Sequence, residues 1–347
     1  MKLSFKENPM QEISNLPKSK KVILKTRPNG NPVIADFDII EENAIAPDDG
    51  EILIEVQALG IGAWIRTTLN EEAFHGSTPI GGVLPSMGIG KVLISRSQKF
   101  SEGDIVSGPL SAQCYTTLNS DFFEKVANPE IDAHTQIGIL GVSTGLTSYF
   151  GIYDVAKVKS NDVVLVSGAA GGVGMIVCQL AKIKGAKVIG VAGGKEKCEV
   201  LLNEIGVDAT IDYKNQDIDK ELKIHAKNGI DIFFDNVGGE ILDVALDNLN
   251  ERARVIICGA ISQYSHHDSV KGPSLYLRLA EKYAVMEGFT VMHFKHKYKE
   301  AYQELLDLYQ KGLLKAPFHI EEGIENFPLA LQKLFTGGNT GKLIVKI

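Results

Sequence analysis

"VVLVSGAAGGVGMIVCQLAKIKGAKVIGVAGGKEKC", residues 163–198, passes from an apolar run through a cluster of glycines into an amphipathic stretch. The opening residues, Val-Val-Leu-Val, show no polar alternation, the pattern of a strand buried on both faces. Glycines follow at 168, 171, 172 and 174. A helix expected over 173–184 sets Ile176, Leu180 and Ile183 at i, i+4 and i+7, one face for a sheet. Strand, glycine turn and helix in that order aim backbone N–H groups and the positive helix end at a pyrophosphate. The spacing G-x-x-G-x-x-G departs from the usual G-x-G-x-x-G, and glycines alone can do no more than tighten a turn. The flanking strand, the helix and a second strand right behind it favour dinucleotide binding.

The second strand, "AKVIGVA", bears on which dinucleotide. An NAD-preferring fold ends this strand on a carboxylate that bonds the adenosine ribose 2′-hydroxyl. Here the end is Ala192-Gly193-Gly194, followed by Lys195 and Lys197. Small residues leave room for a 2′-phosphate, and an ammonium neutralises it. The plainer alternative is a pair of solvated lysines at a helix start, with Glu196 where a first helical turn favours acid. NADP(H) is the expected cofactor.

Outward from this unit, apolar strands alternate with helical patterns from about residue 134 to 290, which predicts an α/β doubly wound parallel (Rossmann) sheet covered on both faces. Helices are expected at 196–205, 240–249, near 297–311 and near 325–335. Before it, "KKVILKT", "GEILIEVQALGIGAW" (a strand pair or one bent strand), "IGKVLIS" and "GDIVSG" lie between turn sequences such as "RPNGNP" and "APDDG", the signature of a small antiparallel β-domain. The last strand, "GKLIVKI", fits that domain better than the parallel sheet. The expected division is 1–133 with 313–347, and 134–312.

The 347 residues suit about two domains, with 44% apolar residues and 23% charged ones. A net charge of −7 without a long basic run argues against nucleic acid, whose binding rests on phosphate neutralisation. No apolar stretch reaches the roughly 18 residues of a membrane span, and residues 1–21 lack the apolar core of a signal peptide. The four cysteines, at 114, 178, 198 and 258, form no framework and point to a reducing, cytoplasmic setting, with Cys178 and Cys258 expected buried and inert.

The pattern disfavours a catalytic metal. Before residue 150 there are one cysteine, Cys114, and two histidines, His75 and His134, at no zinc-like spacing. Without a Lewis acid, alcohol–carbonyl exchange lacks its usual activator. Hydride addition to a carbon–carbon double bond conjugated to a carbonyl, or to a quinone, needs only one or two donors for the developing oxyanion.

The runs "GVSTGLTSYFGIYDVAKVKSNDVVLVSGAAGGVG", "AGGKEKC", "IDYKN", "FDNVGGE", "ICGAISQYS" and "GGNTGKLIVKI" occur in this order from about residue 138 to 347. In them the chain resembles the medium-chain dehydrogenase/reductase superfamily, in its zinc-free branch of leukotriene B4 dehydrogenase/prostaglandin reductase and plant alkenal double-bond reductases. The resemblance implies a GroES-like β-domain beside the Rossmann domain and a homodimer formed through the latter. It implies that Gly171, Gly172, Val173 and Gly174 meet the pyrophosphate, that Lys197 and Tyr213 meet the 2′-phosphate, and that Asn236 sits beside the cofactor. Cys258, Gly259, Ala260, Ile261, Ser262, Gln263 and Tyr264 would line the nicotinamide side, with Phe289, Thr290, Val291 and Asn339 near the same half. Tyr264 is the expected catalytic residue, a phenol being a neutral donor at pH 7. Ser265 follows it where relatives carry asparagine, and His266 and His267 read as loop histidines without a role.

Before residue 138 the likeness thins. "GAWIRTT" stands for the family's D-P-Y-M-R-G, with Trp64 at the tyrosine position and Arg66 retained, both tentative substrate residues. "GGVLPSMGIG" keeps its glycines, and "SAQCYTT" keeps Gln113 and Tyr115 but no tryptophan. Tyr149 could face the cleft or pack at the domain junction. The implied activity is NADPH-dependent reduction of the C=C bond of α,β-unsaturated aldehydes or ketones, the alternatives being quinone reduction and an NADPH-binding sensor or structural protein without turnover.

Overall fold

The computed structural model describes residues 16–72, 75–265 and 269–347. Six strands, Val163–Val166, Lys187–Ala192, Ala209–Asp212, Ile230–Asp235, Leu249–Ile257 and Val285–Gly288, form one wholly parallel sheet. Counted along the chain, their spatial order is 3-2-1-4-5-6, so the switch point lies between the first and fourth strands, where ligands of open α/β sheets bind. Helices Gly172–Ile183 and Tyr298–Gln310 pack on one face, around Val164, Val166, Ile232 and Phe234. Helices Ile218–His225 and Glu240–Asp247 cover the other, around Leu165, Ile189, Phe233 and Val255.

The helix expected at 196–205 is α-helical over Lys195–Val200 and widens into a π-helical turn over Leu201–Ile205, ending on Gly206 at φ +80°. Further π-turns occupy Val142–Leu146 and Phe150–Val155. The sequence pattern does not reveal helix Ile218–His225, because its charged residues leave Leu222 alone fully buried. Strand Val285–Gly288 escapes for the same reason, lying at the sheet edge with little of it inside.

The second sheet runs Phe318–Glu322, Lys342–Lys346, Glu51–Gly60, Met87–Ser95, Ile105–Pro109 and Glu124–Lys125, with Tyr115–Asn119 also on Glu51–Gly60. All its pairs are antiparallel except Phe318–Glu322 with Lys342–Lys346. "GEILIEVQALG" is one strand, bent by register shifts at Leu53/Ile54 and Val56/Ala58. The final strand lies beside Ala58–Gly60 in this sheet, as its sequence suggests.

The two sheets meet at a backbone bridge between Gly171 and Gly341, where the Gly341 N–H donates to the Ala170 carbonyl at 2.8 Å. Gly341 stands at φ +73°, and a Cβ there would run into the Pro317 carbonyl. Gly341→Ala should therefore cost about 2–4 kcal/mol. A thermal melt in which the variant unfolds with the wild type would show that this approach carries no strain.

Candidate active site

Three elements build the phosphate end. Gly168 takes φ +58°, turning the chain off strand Val163–Val166, and Gly171 caps helix Gly172–Ile183 from an extended conformation. Gly174 admits no side chain, since a Cβ would meet Gly168 O and Ala169. A Cβ on Gly172 would lie 3.1 Å from Thr144 and 3.2 Å from Lys342, so its surface is walled by both. Val173 presents its carbonyl to Ser148 Oγ at 3.1 Å. Thr144 is 1% exposed, and its hydroxyl has no hydrogen-bond partner among the described residues. Exposed N–H groups at a helix start beside an unsatisfied hydroxyl fit an acceptor-rich group such as a pyrophosphate.

The adenosine end is cationic. Strand Lys187–Ala192 leads to Gly193, above which a Cβ would meet the Tyr213 ring at 2.8 Å and Lys214 at 3.0 Å. Lys197 reaches the Gly337 carbonyl at 3.0 Å, and its amine is pushed down by burial and then by the neighbouring Lys214. A dianion between the two lysines would relieve that repulsion. The carboxylate of Asp212, one strand over, is occupied bracing the turn: it accepts from Gly194 N at 2.7 Å, Lys214 N at 3.1 Å and Asn215 Nδ2 at 2.7 Å. No carboxylate ends strand Lys187–Ala192.

The switch-point edge holds Asp235 and the loop after Ile257. Asp235 Oδ1 accepts from Ser167 Oγ at 2.7 Å and from Val237 and Gly238 N–H at 2.9 Å. Its Oδ2 is buried without a partner, and burial holds its carboxyl above the usual range. Asn236 bonds Ser167 through both backbone and side chain. Cys258 and Gly259 donate their N–H groups to Asp235 O, Ile261 to Asn236 O and Ser262 to Val237 O. Gln263 donates to Ala260 O, and the Ala260 N–H donates in turn to the Tyr264 hydroxyl at 3.1 Å. That oxygen already accepts, which leaves its proton to donate, and burial pushes the phenol above its ordinary value. Burial also raises the Cys258 and Cys178 thiols to about 12; Cys178 is fully buried as expected, whereas Cys258 is only half-buried because it lies where the strand leaves the sheet. Phe289 packs edge-on to Phe234 with centroids 6.4 Å apart, Thr290 precedes the turn Val291–Lys297, and Asn339 is tied to Gly341 O at 2.9 Å.

On the β-domain side, Lys342 is 6% exposed and donates to Ile61 O at 3.0 Å. Among the described residues no carboxylate pairs with it, and burial pushes its amine down to about 8. Trp64, half-buried, packs on the β-domain core with the His75 ring 5.9 Å away. Arg66 is 1% exposed and spends its guanidinium on Gly30 O at 3.0 Å, Pro28 O at 3.4 Å and Asn70 Oδ1 at 2.7 Å, holding a loop in place. Gln113 bonds Leu110 and Thr116 within its own domain. Tyr149 bonds Glu304 at 2.6 Å and packs edge-on with Phe150 and Tyr153 at the helical layer. Tyr115 and Cys114 line a separate groove of about 700 Å³ with Glu55, Glu325 and His134, which includes no residue of the glycine turn or of the Tyr264 loop. His266 and His267 lie outside the described residues. Among the described residues, no three His, Cys, Asp or Glu side chains gather as a metal site.

Thr144, Lys214, Asp235 and Lys342 were not singled out from the sequence. Lys342 alone left a trace there, as a lysine that opens the apolar run Leu343–Val345. Because its folded amine sits near 8 and its unfolded amine near 10.5, the unfolded chain binds the extra proton between these values, and stability from this group rises with pH across that window. Compared with Lys342→Met, the wild type should gain about 2–3 kcal/mol from pH 8 to pH 10.5. Parallel denaturant curves for the two proteins at every pH would sink this assignment.

A family model described as "Zinc-binding dehydrogenase" matches residues 172–311, and one described as "N-terminal domain of oxidoreductase" matches 20–126. Prostaglandin reductase 1 of Bos taurus is 34% identical over 94% of this chain and 99% of its own length. The 2-alkenal reductase (NADP(+)-dependent) of Nicotiana tabacum is 32% identical over 97% of this chain and 98% of its own. The crystal structure of CurA in complex with NADPH from Vibrio vulnificus superposes with a TM-score of 0.89 at 30% identity, over 94% of this chain and 98% of that one. With both domains matched and the glycine turn, lysine-bordered strand end and Tyr264 loop in place, the chain belongs to the medium-chain dehydrogenase/reductase superfamily, in the zinc-free branch of the prostaglandin and alkenal reductases.

Proposed function

We propose that the protein is an NADPH-dependent reductase of the C=C bond of α,β-unsaturated aldehydes and ketones. The observation that carries the reading is the Tyr264 phenol, half-buried at the switch-point edge, with its oxygen already accepting from Ala260 and its proton left over. Gly171, Gly172, Val173 and Gly174 would hold the pyrophosphate, and Lys197, Lys214 and Tyr213 the 2′-phosphate. Asn236, the 258–264 loop, Phe289, Thr290, Val291 and Asn339 would surround the nicotinamide half. Bound NADPH supplies a hydride to the substrate's β-carbon. Tyr264 donates its hydrogen bond to the carbonyl oxygen as that oxygen gains charge, and the α-carbon takes its proton from solvent. Trp64, at the mouth of the β-domain, shapes the apolar wall and helps exclude water.

The division of labour assigns 134–312 to the cofactor and 1–133 with 313–347 to the substrate. The reading includes a homodimer through the cofactor domain, supported by the outer edge of strand Val285–Gly288, where Tyr276, Leu277, Tyr283 and Val285 all stand exposed. Four free cysteines agree with a cytoplasmic location. No described helix is long and apolar enough to cross a membrane.

A panel of enals, enones and quinones, read by loss of NADPH absorbance, tests the reaction: turnover of enals or enones is expected, turnover of quinones alone redirects the assignment, and none at all leaves an NADPH-binding protein. Tyr264→Phe should lower kcat about a hundred-fold while the NADPH Kd stays within two-fold. Lys197→Ala and Lys214→Ala should each raise the Kd for NADPH about ten-fold and leave that for NADH unchanged. Equal losses for both cofactors would remove the 2′-phosphate from these lysines.

A further inference from the structure

The turn "RPNGNP" at 27–32 belongs to the β-domain, yet its tip reaches the loop that carries Tyr264. Ser265 Oγ lies 2.6 Å from Asn31 Oδ1, a contact between residues 234 positions apart, and Ser265 is only 7% exposed. The hydroxyl donates and the amide oxygen accepts. The other end of the Tyr264 loop is fixed within the cofactor domain by Ser262 Oγ on Val237 O at 2.6 Å. Tyr264 therefore stands between two tethers, one in each domain, immediately before the tether that crosses the cleft.

The turn is itself clamped. Arg66 bonds Gly30 O and Pro28 O from below, and Arg27 bonds Leu69 O at 2.8 Å. Gly30 at φ +89° gives the turn its shape. A buried guanidinium whose donors go to backbone carbonyls fixes a loop far more firmly than that loop's exposed residues could fix themselves.

We propose that Asn31 is a positioning residue for Tyr264, acting through Ser265, and that Arg66 serves the reaction by holding Asn31 in reach rather than by meeting the substrate. The contact joins the two domains, so it orders the phenol by tying the loop that carries it to the β-domain. This inference rests on the role of Tyr264 proposed above.

The test is a double-mutant cycle on kcat for a short alk-2-enal at saturating NADPH. Asn31→Ala and Ser265→Ala should each lower kcat about five-fold, the worth of one ordinary hydrogen bond, with the NADPH Kd unchanged. The double variant should be no slower than either single one. Asn31→Asp, which keeps the acceptor, should restore the rate, and Asn31→Ala should add nothing in a Tyr264→Phe background. Losses that multiply, in either combination, overturn the proposal. If Tyr264→Phe is itself as fast as wild type, the reading of Tyr264 has failed instead. Should no enal be turned over, energy transfer from Trp64, the single tryptophan, to bound NADPH decides the tether alone. Transfer should fall in Asn31→Ala and Ser265→Ala and recover in Asn31→Asp, and equal transfer in all four proteins overturns it.

Discussion

The Gly341 N–H meets the Ala170 carbonyl within the glycine turn, so the strand that closes one domain is hydrogen-bonded to the loop that opens the other. Much of the architecture follows from how close that approach is. Neither Gly171 nor Gly341 carries a Cβ to hold the backbones apart, and Gly341 also abuts the Pro317 carbonyl. The bridge brings Lys342 against Gly172 and places the β-domain over the carboxyl ends of the parallel strands. Lys197 Nζ on Gly337 O and Ser265 Oγ on Asn31 Oδ1 join the two domains at further points, so the cleft takes its shape around the bridge and these contacts together.

Electrostatics give the same cleft its sign. Lys342 is buried on a lone carbonyl, Lys197 is crowded by Lys214, and a hydroxyl at Thr144 is left unsatisfied. Each is a cost to the folded protein. Thr144 and Lys342 lie against Gly172 of the glycine turn, and Lys197 lies beside Lys214 near the end of strand Lys187–Ala192. The Asp212 carboxylate, also at that strand end, is occupied by three N–H donors, including the Gly194 amide. Tyr264 sits on the loop after Ile257 in a different environment, half-buried, with its phenol held above the ordinary value.

The parallel sheet was legible from apolar strands separated by amphipathic helices, since burial on both faces leaves no alternation to misread. Elements at the rim were not: helix Ile218–His225 and strand Val285–Gly288 bury too little to write a period into the sequence. The π-turns left no mark either, because a wider turn changes which carbonyl accepts, not which side chains are apolar. Arg66 illustrates a different limit. Its residue type fitted a ligand contact, but its guanidinium goes to Asn70 Oδ1 and to the Gly30 and Pro28 carbonyls, and backbone partners are not encoded in a side-chain pattern.

By itself the sequence determined the parallel sheet, the glycine turn on its first strand, the missing carboxylate at the end of its second and the return of the last strand to the β-domain, all properties of local spacing and composition. Only the tertiary structure decided that Lys214 joins Lys197, that Lys342 is buried against Gly172, that Arg66 is a clamp and that Asn31 reaches Ser265. Those facts depend on chain segments up to 234 positions apart meeting in space, and a hydrogen bond at that range is set by how the domains dock, which one-dimensional periodicity does not record.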